Sequence, residues 1–207
     1  MYTLIVFACY MATVVNSAPL PGSSALVEDP QFQEILQRSR SLTQKILLSI
    51  PDTHNSCNLA LTLQLNSSEN VKLVTMASII GIPPAPVVKA VSENFTLENG
   101  LERMNKGLQL HQALLSEVAP RLEVKDKVTD LIADIRDLAV QIVKMQKMAR
   151  AEAAVEPSPT PVKLHLPGDY EVQVAAHLTL LQLQSFGQDM VRCLRSLDQS
   201  KEEDTES

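Results

Sequence analysis

Four long stretches of this chain repeat aliphatic residues every three or four positions, and prolines fall between them. That period is the α-helix's own, and it gathers the apolar side chains onto one face that must be covered by other helices. In the first stretch Asp29-Pro30 reads as a cap and first turn, followed by Phe32, Ile35, Leu36, Leu42, Ile46 and Leu47. The spacing predicts a helix over residues 30–49, ended by Pro51. The second stripe is Leu97, Leu101, Met104, Leu108, His111, Leu115 and Val118, stopped by Pro120. The third runs from Val124 through Val128, Leu131, Ile132, Ile135, Leu138, Ala139 and Ile142 to Met145 and predicts the longest helix of the four. Its polar side carries Lys125, Lys127, Asp134, Lys144 and Lys147. The proline-rich run 156–161 ends it, and Gly168-Asp169 caps a fourth helix with the stripe Ala176, Leu180, Leu183, Gly187, Met190, Leu194 and Leu197. Aromatic residues make up 3% of the chain and Trp is absent, so the expected core is aliphatic and the class all-α.

Connection lengths order these helices. A few residues join the second to the third, which makes them antiparallel neighbours, whereas the first crossover, about 45 residues, and the connection from the third helix to the fourth, about 14 residues, are each long enough to span the roughly 30 Å of a 20-residue helix. The expectation is a long-chain four-helix bundle of up-up-down-down topology with two long crossover loops, an arrangement associated with cytokine and growth-hormone bundles. A plain up-down bundle with decorated loops stays open. The apolar run 73–82 inside the first crossover has to be covered, and predicts a short helix lying across the bundle.

Residues 1–15 are apolar but too short to span a bilayer, and Asn16-Ser17-Ala18-Pro19 follows with small residues. This reads as a secretory signal peptide cleaved after Ser17 or Ala18, although the lack of Lys or Arg before it leaves a buried N-terminal strand as the alternative. The expected division is a signal peptide over 1–18, a four-helix domain over 19–198 and a disordered acidic tail over 199–207. Charged residues interrupt every later apolar window, so the mature chain is expected to be secreted and extracellular, without membrane insertion. A net charge of −6 argues against nucleic-acid binding, which needs a basic surface. Cys9 leaves with the signal. Cys57 and Cys193 remain as disulfide candidates in an oxidising compartment, either bridged or free. Asn66-Ser67-Ser68 and Asn94-Phe95-Thr96 are glycosylation candidates.

No motif for catalysis is found. His54, His111, His165 and His177 lack metal-ligand spacing, and there is no nucleophile elbow, phosphate loop or dinucleotide fingerprint. The expectation is a non-enzyme with no cofactor and no metal, with His111 at the edge of the core and Met145 and Met148 as core filler. Asp134 and Asp137, three apart on the third helix, face solvent in this reading. They are either a solvated polar face or a charged contact for Arg or Lys on a partner.

Three segments resemble the interleukin-6, granulocyte colony-stimulating factor and myelomonocytic growth factor family. The first is Gly81-Ile82-Pro83-Pro84-Ala85-Pro86, similar to that family's crossover motif. The second is Gly107-Leu108-Gln109-Leu110-His111-Gln112-Ala113-Leu114-Leu115 with Asp134-Ile135-Arg136-Asp137-Leu138-Ala139-Val140-Gln141-Ile142. The third comprises Ala176-His177-Leu178, Leu183-Gln184-Ser185-Phe186 and Val191-Arg192-Cys193-Leu194-Arg195-Ser196-Leu197. Their order covers most of the mature chain. The resemblance implies a cytokine that engages a class I cytokine receptor through the first and third helices and through a second surface near the first crossover. By position it assigns Asp134 and Asp137 to the acidic receptor-contacting pair and Arg40 to a basic contact. Gln37 stands where the family carries a Glu, and the crossover Glu aligns with Lys72 or, with a shift, with Glu69. The family's paired loop cysteines are missing, since Cys57 has no near partner. The implied role is to pair receptors and stimulate granulocyte-lineage proliferation and differentiation. Two alternatives stay open: an interleukin-6-like inflammatory role through a shared signal-transducing receptor, and a secreted helical carrier of an apolar ligand.

Overall fold

Asp29 starts the first long helix by accepting the Gln31 and Phe32 backbone N–H groups on Oδ1 at 2.7 and 3.1 Å, and Pro30 stands where its missing N–H costs nothing. The computed structural model describes residues 26–57, 63–88, 96–149 and 162–203. These form an all-α bundle with no strand among the described residues. Its helices are α1 (Pro30–Ser56), the short α2 (Val74–Ile80), α3 (Leu97–Val118), α4 (Asp126–Ala149) and α5 (Asp169–Glu203). The expected signal peptide, the 156–161 connector and Asn94 lie outside the described residues.

Several predicted boundaries shift. α1 passes through Pro51 and continues to Ser56. Proline deprives the Leu47 carbonyl of its usual donor, but Pro51 is exposed, so that carbonyl lies on the side of the helix open to water. The turn beyond it is anchored because Thr53 and His54 are buried, and the Thr53 hydroxyl donates to the Ser49 carbonyl at 2.8 Å. Val124 is not part of the third stripe: α4 begins at Asp126, Val124 is 46% exposed, and Leu122 is the residue that fills the core at this turn. The longest helix is α5, at 35 residues, against 24 for α4. Gly168 caps α5 by accepting the Val172 N–H at 3.3 Å, while Asp169 is already helical and, with Glu171, places negative charge in the first turn. The boundary expected at residue 198 falls inside this helix.

α1 packs against α4 and α5, and α3 packs against the same two. Lys45 meets Asp134 and Asp52 meets Lys127 between α1 and α4, while Asn105 meets Gln146 between α3 and α4. His54 meets His177 between α1 and α5, and His111 meets Phe186 between α3 and α5. The shared core holds Phe32, Leu36, Ile46 and Ile50 of α1, Leu101, Met104 and Leu108 of α3, Leu131 and Ile135 of α4, and Leu180 and Leu194 of α5. Two glycines let helices approach closely. A Cβ on Gly107 would stand 2.2 Å from Phe186 Cζ, and one on Gly187 would stand 2.9 Å from Leu47 Cδ2.

The apolar run in the first crossover is helical, as its composition predicts. A 3-10 turn (Ser68–Leu73) leads into α2, whose Ile80 is fully buried and which packs on α5. Gly81 ends it with φ +88°, a conformation that disfavours a side chain. The two long connections touch here, because the His165 N–H donates to the Ile80 carbonyl at 2.8 Å.

Candidate functional site

The 4-4-3 spacing of Asp126, Asp130, Asp134 and Asp137 puts four carboxylates on one side of α4, along the seam with α1. From α1, Lys45 extends its ammonium to Asp134 Oδ1 at 2.5 Å. The Asp134 side chain is only 14% exposed while that of Lys45 is 63% exposed, so Asp134 does not face solvent as its place in the polar pattern suggests. Asp137 does: it is exposed. The hydrogen bond from Lys45 to Asp134 and the charge of that carboxylate raise the lysine's pKa, with smaller contributions from Asp137 and Asp130. The strip is thus a negative surface into which Lys45 sets a cation.

A second ion pair, Lys127 to Asp52 at 3.9 Å, lies seven residues along each helix from the first. This register sets Leu42 level with Asp137 and Arg40 level with Ala139. Arg40, half-buried, stands seven residues before Leu47 and fourteen before His54, both of which meet α5, so it lies on the α5 side of α1, while exposed Gln37 is on the outer side, its carbonyl accepting the Ser41 hydroxyl at 3.1 Å. Of the six sequence-predicted contact residues, Asp134 and Asp137 share the α1–α4 seam with Lys45, and Gln37 and Arg40 lie away from it.

Glu69 and Lys72 are elsewhere. They form an ion pair with each other on the exposed 3-10 turn of the crossover. Asn70 of that turn accepts from His177 Nε2 at 2.9 Å, and His177 Nδ1 meets His54 Nε2 at 2.9 Å. His54 stands 14 residues beyond Arg40, about 21 Å along α1 at the helical rise. The crossover pair and the α4 pair are therefore two separate groups.

Two features of these groups escape the sequence reading. Lys45 carries no motif, although the acidic 4-4-3 pattern opposite signals that a cation belongs nearby. His54 and His177, 123 positions apart, give no spacing signal at all. Burial lowers the pKa of both, to about 4 for His177, which the charge of His54 depresses further. His111 is a core residue and not an edge one: it is fully buried, its Nδ1 bonds the Gly107 carbonyl at 2.7 Å, and burial pushes its pKa down to about 4.

Cys57 and Cys193 are both buried free thiols, pushed up by burial to about 11 and about 12. Cys57 lines a cavity of about 160 Å³ with Val172 at the start of α5, whereas Cys193 lies 21 residues, about 31 Å, further along that helix. No disulfide spans that gap, because bridged Cα atoms must lie within about 7 Å. Asn66 is exposed in a turn just before the 3-10 segment. Among the described residues no group of three or more His, Cys, Asp or Glu side chains is placed to hold a metal ion, and no helix is long and apolar enough to cross a membrane. No protein-family model matches the chain, and no curated protein matches it.

Proposed function

We propose that this protein is a secreted cytokine of the granulocyte colony-stimulating factor type, binding and pairing class I cytokine receptors to stimulate granulocyte-lineage cells. The observation that carries the reading is the acidic face of α4, in which exposed Asp137 adjoins the Lys45–Asp134 pair on a rigid helical seam. Carboxylates fixed on packed helices recognise Arg or Lys of a partner at small entropic cost. The family resemblance points to the same residues.

The up-up-down-down topology is part of the proposal. It is supported by the helix pairings: α1 and α3 each pack against α4 and α5, and in the pairs Asp52–Lys127, His54–His177 and Asn105–Gln146 the later part of one helix meets the earlier part of the other. Glu69 and Lys72 on the crossover turn are proposed as a second contact surface, consistent with their separation from the α1–α4 seam.

The test is charge reversal at Asp137. Because this carboxylate is exposed and outside the core, Asp137→Lys leaves the helical circular dichroism and the melting temperature of the chain unchanged. Binding to receptor-bearing granulocyte-lineage cells falls by at least about thirtyfold, the scale of a lost interfacial charge pair with repulsion added. Binding retained at wild-type strength would remove the role assigned to this face.

A further inference from the structure

The polar chain that ties the crossover to the bundle has a fixed direction. Asn70 Nδ2 donates to the carbonyls of Gln64 and Leu65 at 3.0 and 3.1 Å, so its Oδ1 is the atom facing His177. An amide oxygen only accepts, and therefore His177 carries its proton on Nε2. That leaves His177 Nδ1 as a lone pair, which accepts the Nε2–H of His54 across 2.9 Å. Both rings are buried, at 0% and 7% exposure for His177 and His54. A proton added to His177 Nδ1 would face the His54 N–H head-on, two donors at hydrogen-bond distance with no acceptor between them. Only His54 Nδ1 is able to take a proton without breaking the chain.

We propose that Asn70, His177 and His54 form a proton-operated clasp, which holds the crossover turn 64–73 against α1 and α5 at neutral pH and releases it on acidification. The turn is suited to release. No residue of the Ser68–Leu73 segment is buried, whereas the α2 end of the crossover is anchored by fully buried Ile80 and by its bond from His165. Opening therefore stops at α2 and leaves the four long helices packed.

The surrounding charges do not offset the effect. On α1, Asp52 pairs with Lys127 of α4, and the Cys57 thiol stays protonated. On the turn, Glu69 and Lys72 pair with each other, and on α5 Asp169, Tyr170 and Glu171 sit at the helix start. Burial alone acts on His54, and burial together with His54 acts on His177, so no carboxylate stabilises an imidazolium in the closed clasp. The sign follows: a ring of ordinary affinity in the open turn takes up the proton that the closed ring refuses. The closed form is fully favoured above about pH 6.5 and loses ground as pH falls toward 4. This proposal is independent of the receptor reading.

Hydrogen exchange on the full chain tests it, with rates corrected for their intrinsic pH dependence. Between pH 7.5 and 5.0 the opening of residues 64–73 rises by about thirtyfold for His177 titration alone, while amides of α3 and α4 keep their protection. In Asn70→Ala the turn is open at both pH values and the pH step disappears. Imidazole 15N spectra provide the second readout, with His177 Nδ1 unprotonated down to pH 5 in the closed form. Protection of the turn that does not change with pH, or two rings titrating near 6.5 with the turn still closed, overturns the clasp. Should Asn70→Ala lose its helical signal, the wild-type titration alone decides.

Discussion

His111 sits in the middle of α3 with its Nδ1–H turned back to the Gly107 carbonyl, and its Nε2 is buried without a protein partner beside Phe186, with the two ring centroids 5.1 Å apart. A proton on Nε2 would place a charge in an apolar core, which is why burial holds the folded pKa near 4, against 6.5 for a free imidazole. A group with a depressed folded pKa contributes nothing unfavourable above pH 6.5. As pH falls from 6.5 to about 4 the unfolded chain binds a proton that the folded chain does not, and stability declines by roughly 3 kcal/mol in total from this residue. Urea denaturation at pH 7 and pH 4.5 reads the loss. In His111→Met, which keeps the volume and removes the titrating ring, the difference between the two pH values shrinks by most of that amount, and an unchanged difference would show that the ring is protonated inside the core. The 3-4 spacing of the second stripe marks His111 as core-facing, but the bond that orients its ring is set by the fold of its own helix and leaves no pattern in the sequence. Asp134 illustrates the same limit. Its place opposite the apolar stripe is legible, whereas its cover by Lys45 depends on how α1 and α4 align.

At the scale of the helix, the apolar period located all four long elements, while proline was the less dependable marker. Pro120 and the Asp29-Pro30 cap behave as their local chemistry dictates, but Pro51 is overridden because the turn beyond it buries Thr53 and His54. Tertiary burial outweighs the local cost of a missing hydrogen bond, and a one-dimensional pattern does not record that burial. The two helix-contact glycines give a sharper comparison. Alanine in place of either improves helix propensity by about 1 kcal/mol. At Gly107 the new methyl would drive into the Phe186 ring, which His111 already packs against, so Gly107→Ala destabilises by about 1–2 kcal/mol net through overpacking. At Gly187 the methyl meets the flexible end of half-buried Leu47, and Gly187→Ala is neutral or stabilising by up to about 1 kcal/mol. Chemical denaturation of the two variants separates them, and equal losses would mean that both contacts are equally rigid.

Across the whole molecule the neighbours are mostly distant in sequence. Lys45 and Asp134 are 89 positions apart and His54 and His177 are 123 apart, whereas α3 and α4 are joined directly by residues 119–125. Connection lengths made the α3–α4 pair legible. Which helix lies beside which among the others was only narrowed, because a long connection permits more than one route. The two groups of candidate residues were legible as chemistry and not as places, since the distance between the α4 face and the crossover turn follows from the bundle alone. The short link between α3 and α4 also bears on the order of events in folding. Closing a short loop costs little entropy, so these two helices form a nucleus to which the chain's first and last helices, α1 and α5, must return from far away. Val118→Ala and Val128→Ala, at the α3–α4 junction, are expected to slow folding with φ-values of about 0.5–0.8, and Ile46→Ala and Met190→Ala to act mainly by speeding unfolding. The reverse ranking would contradict this order. A chain built this way spends its search time on its two ends, so the surface shared by α1 and α4 is completed only after the central hairpin already exists.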